Sequence, residues 1–383
     1  MDKTTVGNLC KPYIGQLKLD DNTLIDYFDI ASVDNIEKQI TGYTTYKFAE
    51  APSRARKKVE KGNILVSTVR PNLNAVALFD EETENMPVAS TGFCVLECKA
   101  NTSPRFLFRY LQSQSFVRAM VSQATGASYP AVSDKIVRDT KLPAYSYEEQ
   151  IQIANVLDAT ANIISKRKHQ LQKLDELVKA RFVEFFGDMV YNQNGWKMVN
   201  LGSVCDVRDG THDSPKYFSE GYPLVTSKNV TSGRIDFAGC SLICKEDYDK
   251  INERSRVDFG DILMPMIGTV GKPVIVDVDV DFAIKNVALI KFYENSMVIN
   301  FFVRALLQSD YFDHAVISKI RGGTQKFIAL SDIRKLEIYL PPMDIQKKFA
   351  AFVEQTDKMK AAVQKALDEA QLLFDSLMQK YFG

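Results

Sequence analysis

Apolar residues recur every seven positions along two long stretches of this chain. In one, Leu157, Ile164, Leu171, Val178 and Phe185 hold the row, with Thr160, Arg167, Leu174 and Arg181 three positions further on. In the other, Val353, Lys360, Leu367, Phe374 and Tyr381 hold it, with Thr356, Val363, Ala370 and Leu377 beside them. A period of seven places such residues on one seam of an α-helix, the pattern of a coiled coil. A helix packed only on its own globular domain needs a wider, less regular stripe. The polar seam residues Thr160, Arg167, Arg181, Thr356 and Lys360 read as register-setting imperfections. The pattern predicts uninterrupted helices from about Tyr147 to Phe186 and from about Asp344 to Tyr381, free of Pro and closed by Gly187 and Gly383. At the usual helical rise each makes a rod of about 60 Å.

The residues ahead of each helix have a different texture. Short β-type runs such as Ile64 to Val69 and Val274 to Val276 are punctuated by Gly, Pro and Asn turns. The two halves are also copies of each other. Val6-Gly7-Asn8-Leu9-Cys10 matches Leu201-Gly202-Ser203-Val204-Cys205, and Gly62-Asn63-Ile64-Leu65 matches Gly260-Asp261-Ile262-Leu263. Leu111-Gln112-Ser113 matches Leu307-Gln308-Ser309, Leu142-Pro143 matches Leu340-Pro341, and Phe186-Gly187 matches Phe382-Gly383. A near-constant offset over the whole length marks a tandem duplication of a unit slightly under 200 residues. The expected fold is α/β, of the α+β type: two similar heads joined by two long antiparallel coiled-coil helices with pseudo-two-fold symmetry. Its divisions fall at 1–143 and 189–342 for the heads, and at 144–188 and 343–383 for the helices.

Composition narrows the function. The 383 residues are 45% hydrophobic and 25% charged, a globular balance that excludes wholesale disorder. Lys+Arg and Asp+Glu both number 48, so a uniformly basic coat is excluded and any polyanion must be held by local patches. No apolar run approaches membrane-spanning length, and Met1-Asp2-Lys3-Thr4-Thr5 lacks a secretory core, so a cytoplasmic protein is expected. Six sparse cysteines fit reduced thiols. The pairs Cys94/Cys98 and Cys240/Cys244 have no accompanying His and lie in apolar runs, so they read as small buried hydrophobes rather than zinc ligands.

Local charge is uneven. Lys47 to Asn74 carries Lys47, Arg54, Arg56, Lys57, Lys58, Lys61 and Arg70 against only Glu50 and Glu60. Asn72 and Asn74 add amides suited to adenine edges, beside cations suited to guanine or phosphate. In the second copy Lys319, Arg321, Lys326, Arg334 and Lys335 oppose only Asp332, and Arg321 to Lys326 reads as a flexible basic loop. Its counterpart is Ala124-Thr125-Gly126-Ala127-Ser128-Tyr129. A single charge run is ordinarily a solvated face; matched basic, amide-rich loops in both copies favour nucleic acid. His212, within Asp209-Gly210-Thr211-His212-Asp213-Ser214, has the types of a catalytic cluster but reads as a polar turn, because the first copy lacks the His and Asp. Asp277, Asp279 and Asp281 read as a solvated edge without EF-hand spacing. There is no phosphate loop, since Gly271-Lys272 has Met266 where its first Gly belongs and Pro273 after the Lys. Nucleophile-elbow, H-E-x-x-H and dinucleotide motifs are absent too, as is the Asn/Asp-Pro-Pro-Tyr type of amino-methyltransferase motif.

The motifs resemble those of the DNA specificity subunits of type I restriction–modification systems. Leu142-Pro143 through Glu148-Glu149-Gln150, Ile153-Ala154, Leu157-Asp158 and the run from Ile164 to Phe186-Gly187-Asp188 look like that family's central helical region. Leu340-Pro341-Pro342 to Gln346 opens the matching distal one. Gly195-Trp196, Leu201-Gly202, Asp209 to Val230, Gly260 to Leu263 and Gly268 to Gly271 look like a family recognition domain, from which the first head departs at Gly62-Asn63 and Arg70-Pro71-Asn72. The resemblance implies a reader without catalysis of its own. Each head would dock half of a split site on double-stranded DNA, with the helices as spacer and as scaffold for two methyltransferase subunits. S-adenosylmethionine would come with those, and ATP and Mg with restriction and translocase subunits. The residues expected to face DNA are Arg54, Arg56, Lys57, Lys58, Arg70, Asn72 and Asn74 in the first head. In the second they are Lys216, Lys228, Arg321, Thr324, Gln325 and Lys326. The competing classes are a coiled-coil adaptor whose heads bind proteins, and a fused nuclease or methyltransferase with unrecognised motifs.

Overall fold

A computed structural model of the chain describes residues 2–12, 17–230, 233–266, 272–316 and 327–383. It divides into two compact units, one of residues 1–168 with 365–383 and the other of residues 169–364. The division cuts both long helices, which run Tyr147–Phe186 and Met343–Phe382, so each unit holds one head and part of each helix.

The first unit has two larger sheets, besides the two-stranded pairs Lys3–Thr5 with Lys141–Pro143 and Val33–Asp34 with Gln39–Ile40. One orders Thr44–Lys47, Leu24–Phe28, Met86–Ser90 and Ala55–Lys58; the other orders Phe93–Leu96, Ile64–Ser67 and Val76–Leu78. Ile64–Ser67 is buried at every position, as expected of an apolar run without alternation that is covered on both faces. The helices Pro104–Tyr110, Gln114–Gln123 and Asp134–Asp139 each start on a serine, Ser103, Ser113 or Ser133, whose side chain accepts from a first-turn backbone N–H. The second unit repeats the plan, with Cys205–Asp209, Val287–Phe292, Ile262–Pro265 and Val274–Ile275 in one sheet and Ser241–Ile243, Tyr222–Thr226 and Ala283–Lys285 in the other. Among these strands each head has one parallel pairing, Leu24–Phe28 with Met86–Ser90 and Tyr222–Thr226 with Ala283–Lys285.

The duplication extends to individual hydrogen bonds. The amide N–H of Ser103 donates to Gln150 Oε1 at 3.0 Å, and that of Ile299 donates to Gln346 Oε1 at 3.0 Å. Val132 N donates to Thr68 O at 2.9 Å, and Ile328 N to Met266 O at 3.0 Å. The N–H of Gly62 reaches Phe79 O as that of Gly260 reaches Val276 O, both at 2.8 Å. A Cβ on Gly7 would meet Arg138 O at 3.2 Å, and one on Gly202 would meet Arg334 O at 3.1 Å, so both copies use glycine for the same close approach.

The heptad residues of both helices are buried or half-buried while most of their neighbours are exposed. In the first unit Leu157 shares a core with Met378 and Phe382, and the Phe382 ring lies 5.5 Å from Phe106 and 5.6 Å from Tyr110. In the second, Phe182 and Phe186 share a core with Phe349 and Val353, and Phe186 lies 4.8 Å from Phe302. In each unit, then, the start of one long helix packs beside the end of the other, an antiparallel pairing. The polar seam residue Lys360 pairs with Asp175 at 2.6 Å, and Arg181 lies over the Phe352 ring at 5.6 Å. Of the four paired cysteines expected to be buried, Cys94 is buried, whereas Cys98, Cys240 and Cys244 are only half-buried; Cys10 and Cys205 are buried as well. The reason is position: Cys240 and Cys244 flank the short strand Ser241–Ile243 instead of lying within it.

Candidate nucleic-acid interface

In the first head the residues expected to face DNA fall into two groups. Ala55–Lys58 is a strand, not a loop, and its alternation sends Ala55 and Lys57 inward. Lys57 is therefore withdrawn as a surface candidate. It is only 8% exposed, donates to Phe93 O at 2.6 Å and pairs with Asp134 at 2.5 Å. Arg56 lies over the Phe48 ring at 4.7 Å and donates to Ala55 O, while Lys58 pairs with Glu60 and Lys61 with Asp80. Much of the cationic surplus read from the stretch is thus consumed by carboxylates, two of them outside it.

Arg54 and Arg70 remain. Neither forms an ion pair among the described residues, and both line one open cleft of about 650 Å³ together with Ile30, Val33, Asn35 and Tyr129. Behind the cleft, the buried strand Ile64–Ser67 leads through Val69 into a short 3₁₀ turn, Pro71–Leu73, flanked by two left-handed residues, Arg70 (φ 48°) and Asn74 (φ 48°). Arg70 N donates to Pro130 O at 2.7 Å, which ties this turn to the loop carrying Tyr129. The Arg70 guanidinium lies 4.9 Å from the Tyr129 ring centre. Asn72 is exposed at the tip of the turn. Asn74 is occupied inside the protein. Its amide donates to Leu111 O at 2.9 Å, and its Oδ1 accepts from Lys38 Nζ at 2.9 Å, so it holds the turn instead of offering an edge to a ligand. Burial pushes the Lys38 ammonium down to about 8, against the opposing pull of Asp34.

In the second head Lys216 and Lys228 are exposed, on the loop after Cys205–Asp209 and in the 3₁₀ turn Ser227–Val230. Arg321, Thr324, Gln325 and Lys326 lie outside the described residues, as does Lys319. The Asp209-Gly210-Thr211-His212 turn docks on Lys285 and Asn286. The His212 ring nitrogens lie 2.9 Å from Asp209 Oδ2 and 2.8 Å from Asn286 Oδ1, and Arg254 pairs with Asp209. Lys285 Nζ donates to Ser214 Oγ at 2.5 Å, and a Cβ on Gly210 would strike Ile284 O. Both ring nitrogens are thus hydrogen-bonded within this turn and its dock. Asp277, Asp279 and Asp281 are all exposed.

Sequence reasoning missed three contributors: Asn35, Tyr129 and Lys285. Tyr129 left a signal, being a large aromatic amid Gly, Ser and Pro, and it is 69% exposed.

Two modules carrying similar cores under unlike polar loops define a duplicated recognition protein, and known proteins place the class. A family model described as "Type I restriction modification DNA specificity domain" matches residues 6–176 and again 193–370. The chain is 23% identical over 347 residues to the type I restriction enzyme MjaIX specificity subunit of Methanocaldococcus jannaschii, covering 84% of this chain and 76% of that one. It is 21% identical over 321 residues to the EcoBI specificity subunit of Escherichia coli, covering 76% and 67%. Among solved structures, the type I restriction–modification S subunit from M. genitalium aligns with a TM-score of 0.61 at 15% identity, over all of this chain and 96% of that one. A chain from a study of complex assembly and conformational transition in a type I system aligns with a TM-score of 0.57 at 24% identity, over all of this chain and 97% of that one. The chain belongs to the type I restriction–modification DNA specificity family.

Proposed function

We propose that the chain reads a bipartite, asymmetric site on double-stranded DNA, each head docking one half, with the paired helices setting the distance between halves. The observation that carries this reading is the duplication itself: matching internal hydrogen bonds beneath exposed loops of different chemistry. One head presents Arg54, Arg70 and Asn72 beside Tyr129, while the other presents Lys216 and Lys228 near the His212 turn. Phosphate contacts position a protein on the duplex and base-edge contacts specify sequence, so unlike loops on like scaffolds suit unequal half-sites. The stretch Arg321 to Lys326 is proposed to add cations and amides to DNA binding by the second half of the chain.

The chemistry is assigned to partners. Two methyltransferase subunits would dock on the helical region and bring S-adenosylmethionine, and restriction and translocase subunits would bring ATP and Mg. The chain itself would act without catalysis, in the cytoplasm. Among the described residues no helix is long and apolar enough to cross a membrane.

The test is methylation mapping of DNA from cells that express the chain with and without its methyltransferase partner. A split motif present only with both supports the reading. Methyl transfer or cleavage by the purified chain alone would make it an enzyme, and the absence of any sequence-dependent footprint in the complex would make it an adaptor. Inserting four residues, about one helical turn, into Tyr147–Phe186 should change the required spacer or abolish binding. An unchanged spacer with unchanged affinity removes the ruler.

A further inference from the structure

The backbone at Arg70 is unusual. A left-handed φ of 48° is one that glycine takes without steric cost, yet this position carries the longest cationic side chain. The conformation is held from both ends. Arg70 N donates to Pro130 O, Leu73 N donates back to Arg70 O, and Asn74 is fixed by Lys38 and Leu111. The side chain so placed lies over the Tyr129 ring, at the mouth of a cleft whose wall includes Ile30 and Val33.

A phosphate contact needs a positive charge but no fixed plane. A two-point contact to a base edge needs the guanidinium fork held flat and aimed, and it gains when that freedom is already lost before binding. Stacking on an aromatic face supplies this. Among bases, guanine presents two acceptors, O6 and N7, at the spacing of the fork in the major groove. Arg54, on the same cleft and also outside any ion pair among the described residues, is placed to supply the sequence-independent charge.

We propose that Arg70 reads a guanine in the half-site of the first head, and that Tyr129 is the positioning residue that holds its guanidinium for the task. The inference rests on the DNA reading above. It is tested on the complete complex with its methyltransferase partners, once the motif is mapped, by titrating duplexes that each carry one base-pair substitution. Arg70→Ala should collapse discrimination at one G·C position of one half-site, from about tenfold or more to near one, and leave the other half-site's preferences intact. Arg70→Lys, which keeps the charge, should lose the same discrimination, which guards against a folding defect in the alanine variant. Tyr129→Phe should retain it, whereas Tyr129→Leu should lower it several-fold with an unchanged salt slope. A purely structural role for the ring would weaken binding to every duplex alike.

Equal loss on all duplexes with a shallower salt slope would put Arg70 on a phosphate and overturn the proposal. Full discrimination in Arg70→Ala would overturn it too. Absence of any mapped motif would strike the DNA reading instead, so the two failures are distinguishable.

Discussion

Two segments of the single cationic stretch in the first head, Ala55–Lys58 and Arg70 to Asn74, behave differently in space. Ala55–Lys58 runs along a sheet, where Lys57 turns inward to Asp134 and Lys58 finds Glu60. Arg70 to Asn74 forms a bent turn that leaves Arg70 and Asn72 outward and shares a cleft with Arg54. The difference teaches that a charge surplus counted along a chain says little about free charge. Strand alternation and nearby acids remove cations from the surface, while a strained turn keeps them there. The same contrast separates core from surface across the two copies, where buried bonds repeat and exposed loops diverge.

That comparison can be pressed at several points. The largest effect is expected from Phe186→Ala and Phe382→Ala, equivalent aromatic anchors that are each 2% exposed. Each should cost about 3–5 kcal/mol in denaturant unfolding, with hydrogen exchange accelerated in the unit that holds it. Costs that differ by more than the spread for like sites would show that the copies have diverged in their cores as well. Next, Gln346→Ala should cost about 2–4 kcal/mol, because the side chain is fully buried and satisfies Ile299 N, Met297 O and Pro341 O. Gln150→Ala, with the two contacts to Ser103 N and Tyr145 O, should cost less by calorimetry.

Lys57→Ala should destabilise by about 2–3 kcal/mol, since the buried ammonium bonds Phe93 O and Asp134. Lys58→Ala, one residue along and exposed, should leave the melting temperature unchanged. Equal effects at 57 and 58 would contradict the alternation. A further test concerns pH. Burial holds Lys38 near 8 against an ordinary 10.5, so the unfolded chain binds the extra proton between those values and stability rises with pH across that window. Wild type should therefore gain on Lys38→Met from about pH 8 to about 10.5 in urea titrations, and a flat difference would refute the burial.

How much was legible in the sequence depends on the kind of signal. The long helices were readable because Leu157, Ile164, Val353 and Val363 fall on heptad seams, and the duplication because glycine and proline landmarks recur at a near-constant offset. The inward turn of Lys57 was not, since Ala-Arg-Lys-Lys has no apolar alternation to announce a strand. The left-handed Arg70 and Asn74 were hidden as well, because that conformation is advertised by glycine and here is imposed by distant partners, Pro130, Lys38 and Leu111. The cleft joins residues from position 30 to position 131, so it exists only after folding.

The place of Phe382 has a consequence in time. Its ring fills the core beside Phe106 and Tyr110, and its carbonyl accepts from Ser115 Oγ, a contact 267 residues apart in sequence. During synthesis the first head emerges early but lacks this piece until the whole second head has followed. At ordinary translation rates the wait is about 15–50 s. Until Phe382 arrives, the core around Phe106 and Tyr110 lacks its distal aromatic ring, so the first module made is the last one finished.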